Sequence, residues 1–271
     1  MPNLISVSDK DDPRLAPYLS IRERDLTRGH GARFIVEGKV TLDALIRRSR
    51  FSIESLFLAE GRTEPLSELI DELAANVPVY IAPQALMDSV AGFPVHRGVL
   101  ACGIKGAAMT AADLISTVAP TGPATLLVLI GLSNHDNVGS CFRNATAFGA
   151  AGVILDDQSC DPLYRKAIRV SAGSALTLPF AQSGSAEDVF GALEAAGFDI
   201  WCLTPRDTAT PIGGLEKTER LALVLGAEGP GLPDDLIERG QAVRLPMAPG
   251  FDSVNVATAG AIALSHVFVR G

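Results

Sequence analysis

The chain of 271 residues is predicted to be α/β, with a smaller N-terminal unit and a larger C-terminal unit on a mainly parallel sheet. Two observations carry most of this. From Ala124 onward, short apolar runs alternate with helix-like segments, the pattern of a parallel sheet covered by helices. The first half alternates too, less regularly, and a stretch rich in Ala, Gly, Thr and Pro divides the two. The length also suits two modest domains. The expected boundaries are 1–105, a linker over 106–123, and 124–271.

In the first half, Phe34-Ile-Val ending at Gly38 reads as a strand over 32–38, followed by a helix over 40–50. Apolar runs predict strands over 55–59, 77–81 and 98–102, with helices over 65–75 and 83–90 between them. In the second half, strands are expected over 125–130, 152–155, 177–180, 199–203, 221–225 and 242–245. Helices are expected over 138–148, 162–172, 186–196 and 233–239, and a long one over 253–269. Pro162 and Pro233 stand where a first helical turn tolerates proline.

Composition narrows the function classes. No apolar run approaches the roughly 18 residues of a membrane span, and the N-terminus is polar and acidic, unlike a signal peptide. Cys102, Cys141, Cys160 and Cys202 are scattered without a Cys-x-x-Cys pair, so neither zinc nor a disulfide frame is expected, and a reduced cytoplasm suits the chain. Net charge is −8, which argues against broad electrostatic binding of nucleic acid. Between Arg22 and Arg50, however, eight Lys or Arg residues face four acids. That run is either a solvated helical surface or a local positive face.

Three stretches of the second half carry chemistry, each at the end of an expected strand, where open α/β sheets bind ligands. The first runs from Asn134 through Asn137 to Arg143. Asp136 or Asn137 would cap the helix, and the small Gly139 and Ser140 let Arg143 lie back toward the loop. The second, Gly226-Ala-Glu228-Gly-Pro-Gly231, gathers glycines around one charge without dinucleotide-type spacing. The third brings Ser253 and Asn255 to the start of the last helix behind Pro246, Pro249 and Gly250; capping alone would explain Ser253. Between the first and second, Arg165 and Arg169 stand at i,i+4 spacing, which suits phosphate contacts as well as an ordinary exposed helix face.

Together these stretches resemble the three signature motifs of the SpoU (TrmH-type) RNA ribose 2′-O-methyltransferases, of the SPOUT superfamily, over about 124–271. Phe34-Ile-Val-Glu-Gly38 and His96-Arg-Gly-Val-Leu-Ala101 are similar to that family's N-terminal RNA substrate-binding domain. The resemblance implies a C-terminal domain threaded into a trefoil knot, a rare topology, S-adenosylmethionine bound in the knot, and a homodimer through the methyltransferase domain. Asn137, Arg143, Glu228, Ser253 and Asn255 match the catalytic positions. Leu203, Thr204, Gly226, Leu245, Met247 and Val254 match the cofactor positions. Asn134-His135, Ala227 and Val254 depart from the commonest motif residues.

The reaction implied is attack of a ribose 2′-oxygen on a sulfonium methyl group, with no metal. A guanidinium stays protonated across the accessible pH range, so Arg143 is expected to stabilise the developing oxyanion rather than act as a base. Glu228 would hold Arg143 or the loop, and Asn137 and Ser253 would fix the ribose. The resemblance gives the basic run a purpose, with Arg22, Arg24, Arg28, Arg33, Arg165 and Arg169 as RNA-binding candidates. Ribosomal RNA is the expected substrate ahead of transfer RNA. The alternatives are a non-catalytic RNA-binding or ribosome-assembly protein on the same scaffold, and a nicotinamide enzyme, which lacks its early glycine fingerprint here.

Overall fold

The computed structural model describes residues 3–21, 31–182 and 184–268. Arg22, Arg24 and Arg28 lie outside the described residues. In chain order the first strands and helices are β1 (Asn3–Ser6), β2 (Arg33–Glu37), α1 (Lys39–Arg48), β3 (Ser52–Ala59), α2 (Ser67–Asp71), β4 (Pro78–Ala82), α3 (Gln84–Ala91) and β5 (Val99–Ile104). Next come α4 (Ala111–Val118), β6 (Ala124–Leu129), α5 (His135–Ala147), β7 (Gly152–Leu155), α6 (Arg165–Val170), α7 (Ser174–Thr177) and β8 (Phe180–Gln182). The remainder is α8 (Ala186–Ala195), β9 (Asp199–Leu203), β10 (Thr210–Pro211), β11 (Arg220–Leu225), α9 (Asp234–Ile237), β12 (Gln241–Arg244) and α10 (Val256–Val267).

Two compact units result: residues 1–107 with 163–177, and residues 108–162 with 178–271. The first carries a five-stranded sheet in the order β1-β4-β3-β5-β2. β1, β4 and β3 are parallel, and β5 runs antiparallel to both β3 and β2. Its core includes Leu15, Tyr18, Ile35, Phe57, Met87 and Leu100. The Tyr18 hydroxyl, fully enclosed, donates to the Ser55 carbonyl at 2.9 Å. The 163–177 segment belongs to this unit. Arg165 bonds Glu37 at 2.6 Å and stacks over Phe93 at 4.5 Å, while Gly173 leaves room for the Ala44 methyl.

The second unit holds a seven-stranded sheet, order β10-β12-β9-β11-β6-β7-β8, parallel at every pairing. Side chains alternate along each strand. Leu126 and Val128 of β6 and Ala222 and Val224 of β11 join Leu114, Phe190, Leu193 and Leu236 in one core. On the other face, Gly260 of α10 lies so close to Leu225 that an added Cβ would sit 2.8 Å from its Cδ1. Asn144 of α5 donates to the Ala257 carbonyl of α10 at 2.9 Å. β11 fills the place between β9 and β6, so the sheet order reverses there.

Several sequence expectations change. The 106–123 stretch is more than a linker, because α4 packs into the second core with a reciprocal Thr110–Asp113 capping box. The Arg220 guanidinium holds it there. It donates to the carbonyls of Ala119 and Ala196, the C-cap residues of α4 and α8, and stacks over Phe198 at 4.3 Å. A cation at two helix C-termini is favourable on dipole grounds. The strand expected over 177–180 begins at Phe180, and 174–177 is helical. The helix expected over 65–75 is a 3-10 turn followed by α2. β1 and β10 were not expected.

Candidate active site

The loops after β9, β11 and β12 open at the strands' C-terminal ends into a cavity of about 520 Å³, within the usual range for small-molecule sites. Its walls come from Leu203, Thr204 and Pro205, then from 225–229 and Gly231, then from Leu245, Met247 and 252–256, with Val243 and Ala259 behind. Leu203, Thr204, Gly226, Leu245, Met247 and Val254, chosen from the sequence, all line this one space. So do Glu228, Ser253 and Asn255.

Local geometry explains the glycines. A Cβ on Gly226 would stand 2.5 Å from both the Gly231 carbonyl carbon and the Leu232 nitrogen, so no side chain fits. The 227–231 loop closes on itself through Gly231 N–H donating to the Ala227 carbonyl at 3.0 Å. Gly229 and Gly231 have φ of 87° and 72°, conformations that favour glycine.

A polar relay joins the three motifs. Asn255, rather than Ser253, caps α10, its Oδ1 accepting from Ala257 and Thr258 N–H at 3.0 and 3.3 Å. Its Nδ2 donates to Asn137 Oδ1 at 2.9 Å. Asn137 in turn donates from Nδ2 to Glu228 Oε1. Asn137 is buried and does not cap α5; Asn134 does, accepting from Asp136 N–H. Each amide has its two ends used, which fixes its orientation.

Arg143 stands apart. It is exposed on α5, is not in the cavity wall, and makes no hydrogen bond or ion pair among the described residues. Of the two tasks expected for Glu228, holding Arg143 or holding the loop, the first is not what this chain does: its carboxylate accepts from Asn137 instead. Arg33 is paired with Glu54 at 2.5 Å, which holds that carboxyl below its usual range, and Arg165 is paired with Glu37. Arg169 is exposed. Burial pushes the Cys141 thiol up to about 12, so it is no nucleophile.

Sequence reasoning missed a support beneath the first motif. Asp156, at the end of β7, is buried, yet its carboxylate accepts from Gly131 N–H at 3.0 and 3.1 Å and from Ser159 N–H and hydroxyl at 2.9 and 2.6 Å. The signal was an aspartate at a strand end with serine three residues on, the spacing of a side-chain-closed turn. It clamps the 131–132 turn that leads into α5.

A strand-end cavity lined by two of the motif loops and tied to the third through Asn137, with the sheet order reversing beside it, defines an α/β enzyme that holds a small cofactor. Residues 124–265 match the SpoU rRNA Methylase family, and residues 35–102 match the RNA 2′-O ribose methyltransferase substrate-binding family. The chain belongs to the SpoU rRNA methylase family and is an RNA ribose 2′-O-methyltransferase.

It is 37% identical over 266 residues to an uncharacterized tRNA/rRNA methyltransferase of Mycobacterium bovis, covering 95% of this chain and 89% of that one. It is 28% identical over 234 residues to the 23S rRNA (guanosine-2′-O-)-methyltransferase RlmB of Escherichia coli, covering 85% and 96%. The fold is also that of the AdoMet-bound rRNA methyltransferase from Sinorhizobium meliloti, with TM-score 0.79, 23% identity and 97% coverage of both chains.

Proposed function

We propose that the protein methylates a ribose 2′-hydroxyl of ribosomal RNA with S-adenosylmethionine as donor. The observation that carries this is the charge of the cavity wall. Glu228 and Asp252 line it, and among the described residues no Lys, Arg or His does. A nucleotide with phosphates would want cations there. An adenosine bearing a positive sulfonium and no phosphate suits apolar walls with acids. The same wall disfavours the nicotinamide alternative. Bound there, S-adenosylmethionine supplies an electrophilic methyl group.

The chain's residues do the rest. Leu203, Leu245, Met247 and Val254 hold the apolar ring system, and Thr204 and the Gly226 backbone supply polar contacts at the loop tips. The Asn255–Asn137–Glu228 relay sets the mouth of the cavity, where Ser253 meets the ribose. Arg143 stabilises the oxyanion, and a phosphate or water takes the proton. Positioning of this kind supplies roughly 7–11 kcal/mol of barrier lowering.

Homodimerisation through the methyltransferase unit and the trefoil knot are part of this reading. Ile262 and Phe268 on and just after α10 are 46% and 40% exposed, the apolar surface a second copy would cover. Arg143, outside its own chain's cavity wall, then serves the site that the pairing assembles. The protein works in the cytoplasm; among the described residues no helix is long and apolar enough to cross a membrane.

Tritium transfer from labelled S-adenosylmethionine to separated, unmodified rRNA and tRNA tests this. Ribose-linked label in rRNA, lost in Arg143→Ala, is the expected result. Label confined to tRNA would overturn the substrate class. No label despite cofactor binding would favour the assembly-protein alternative.

A further inference from the structure

Five cations of the first unit are already neutralised. Arg14 pairs with Asp12, Arg33 with Glu54, Arg47 with Glu72 and Asp43, Arg48 with Asp43, and Arg165 with Glu37. Of the exposed cations that make no such pair among the described residues, Lys10, Lys39, Arg62, Arg97 and Arg169, three converge. Lys39, Arg62 and Arg97 are exposed and make no ion pair with an acid among the described residues. Lys39 donates only to the Pro65 carbonyl at 3.3 Å.

They come from the start of α1, the loop after β3 and the loop before β5, which meet at one end of the sheet. Gly38 N–H donates to the Val99 carbonyl, and Ala59 N–H to the Gly98 carbonyl, both at 3.0 Å, so the ends of β2 and β3 flank the start of β5. Arg97 stands just before β5. A Cβ built on Gly38 would lie 3.2 Å from its Cδ, and one built on Gly98 would lie 3.1 Å from the Nε of Arg62. Gly38 and Gly98 have φ of 96° and 60°. These bare glycines let the two guanidinium side chains lie along the backbone beside Lys39. Val40, 55% exposed, adds an apolar face next to them. Helices α1 and α3 also begin at this end, with no acid in either first turn.

We propose that Lys39, Arg62 and Arg97 form the RNA phosphate-holding site of the first unit, in place of the ion-paired Arg33 and Arg165. Three convergent cations, one on a helix start and two on fixed loops, grip consecutive backbone phosphates, and Val40 offers a surface to a sugar or base edge. The site takes its partner class from the reading above, yet its test does not depend on methyl transfer.

The experiment uses the full chain and unmodified 23S rRNA, with a mixed-sequence single-stranded RNA 20-mer as a second probe. Binding is measured at several salt concentrations for wild type, for K39Q/R62Q/R97Q, and for a control, R47Q/R48Q, that removes the same kind of charge from acid-paired positions. The triple variant is expected to bind rRNA about tenfold or more weakly, with the salt slope reduced by about 0.7 for each phosphate no longer held. The control should remain within about twofold of wild type. S-adenosylmethionine binding and thermal unfolding, read in parallel, should match wild type in both. Equal affinity in the triple variant, or an equal loss in the control, would overturn the site. If wild type transfers no methyl group while the triple variant still loses RNA, the site stands and the enzymatic reading fails.

Discussion

Asn255 and Asn137, far apart in the chain, share a hydrogen bond of 2.9 Å, and through it the cap of the last helix is tied to the carboxylate of Glu228. Replacing Asn137 with Asp would set a second carboxylate against Glu228, and Asn137→Ala would leave both partners short. Each is expected to cost roughly 1–3 kcal/mol in cofactor affinity or turnover. Cofactor titration calorimetry with single-turnover rates decides it; a wild-type Asn137→Asp would mean the relay is ornamental.

Arg143→Ala should separate chemistry from folding. The side chain is exposed and unpaired among the described residues, so the melting temperature should hold. Methyl transfer should fall about 10²–10³-fold, the usual loss when an oxyanion donor is removed. A matched fall in stability would instead assign Arg143 a packing role.

Gly226→Ala should abolish the site from within. Its methyl group would meet backbone at 2.5 Å on two atoms, and neither can swing aside as a side-chain tip could. Equilibrium dialysis of S-adenosylmethionine should show binding lost while the far-ultraviolet spectrum is kept. Retained affinity would mean the 227–231 loop is more plastic than its bridge suggests.

Asp156→Asn would place an amide where three donors point. Gly131 N–H would lose its second acceptor oxygen and face an amide N–H in a buried place, and about 1–3 kcal/mol of stability should go with it. Urea unfolding measures this directly; a shift below about 0.5 kcal/mol would argue that the turn is held by other interactions.

Alkali should weaken the fold before it harms the chemistry. Burial pushes the thiols of Cys102, Cys141 and Cys202 from 9.0 up to about 12. As pH climbs past 9 the unfolded chain loses these protons while the folded chain keeps them, so stability falls with pH. The slope from one such thiol, that of Cys141, is about 1.4 kcal/mol per pH unit. Tyr18, raised by its burial, adds to the same trend above 10. Urea midpoints from about pH 8 to 10.5 should decline, less steeply in Cys141→Ala; a level profile would contradict the burial argument.

The sequence was informative where local chemistry decides structure. The strand-end position of Gly226, Leu245 and Leu203 could be read from short apolar runs and glycines, and these residues do line one cavity. Pairings across the chain were hidden. Nothing local says that Glu54 waits for Arg33, or Glu37 for Arg165, so both arginines read as available to RNA. Nor does the 174–177 run, apolar and beside a strand, announce a helix; its environment in the first unit decides that. Asn137 read as a cap because asparagine near a helix start usually is one, whereas burial beside Glu228 gave it another task.

The excursion of the 163–177 segment bears on inheritance. The first unit is not a cassette on the N-terminal side of the second, because part of it is encoded inside its neighbour. Recombination that exchanged residues 1–107 alone would strand Arg165 without Glu37 and leave Gly173 facing whatever replaced Ala44. The two halves of this gene are bound to drift together, and a hybrid between relatives should be joined only with the inner segment carried along.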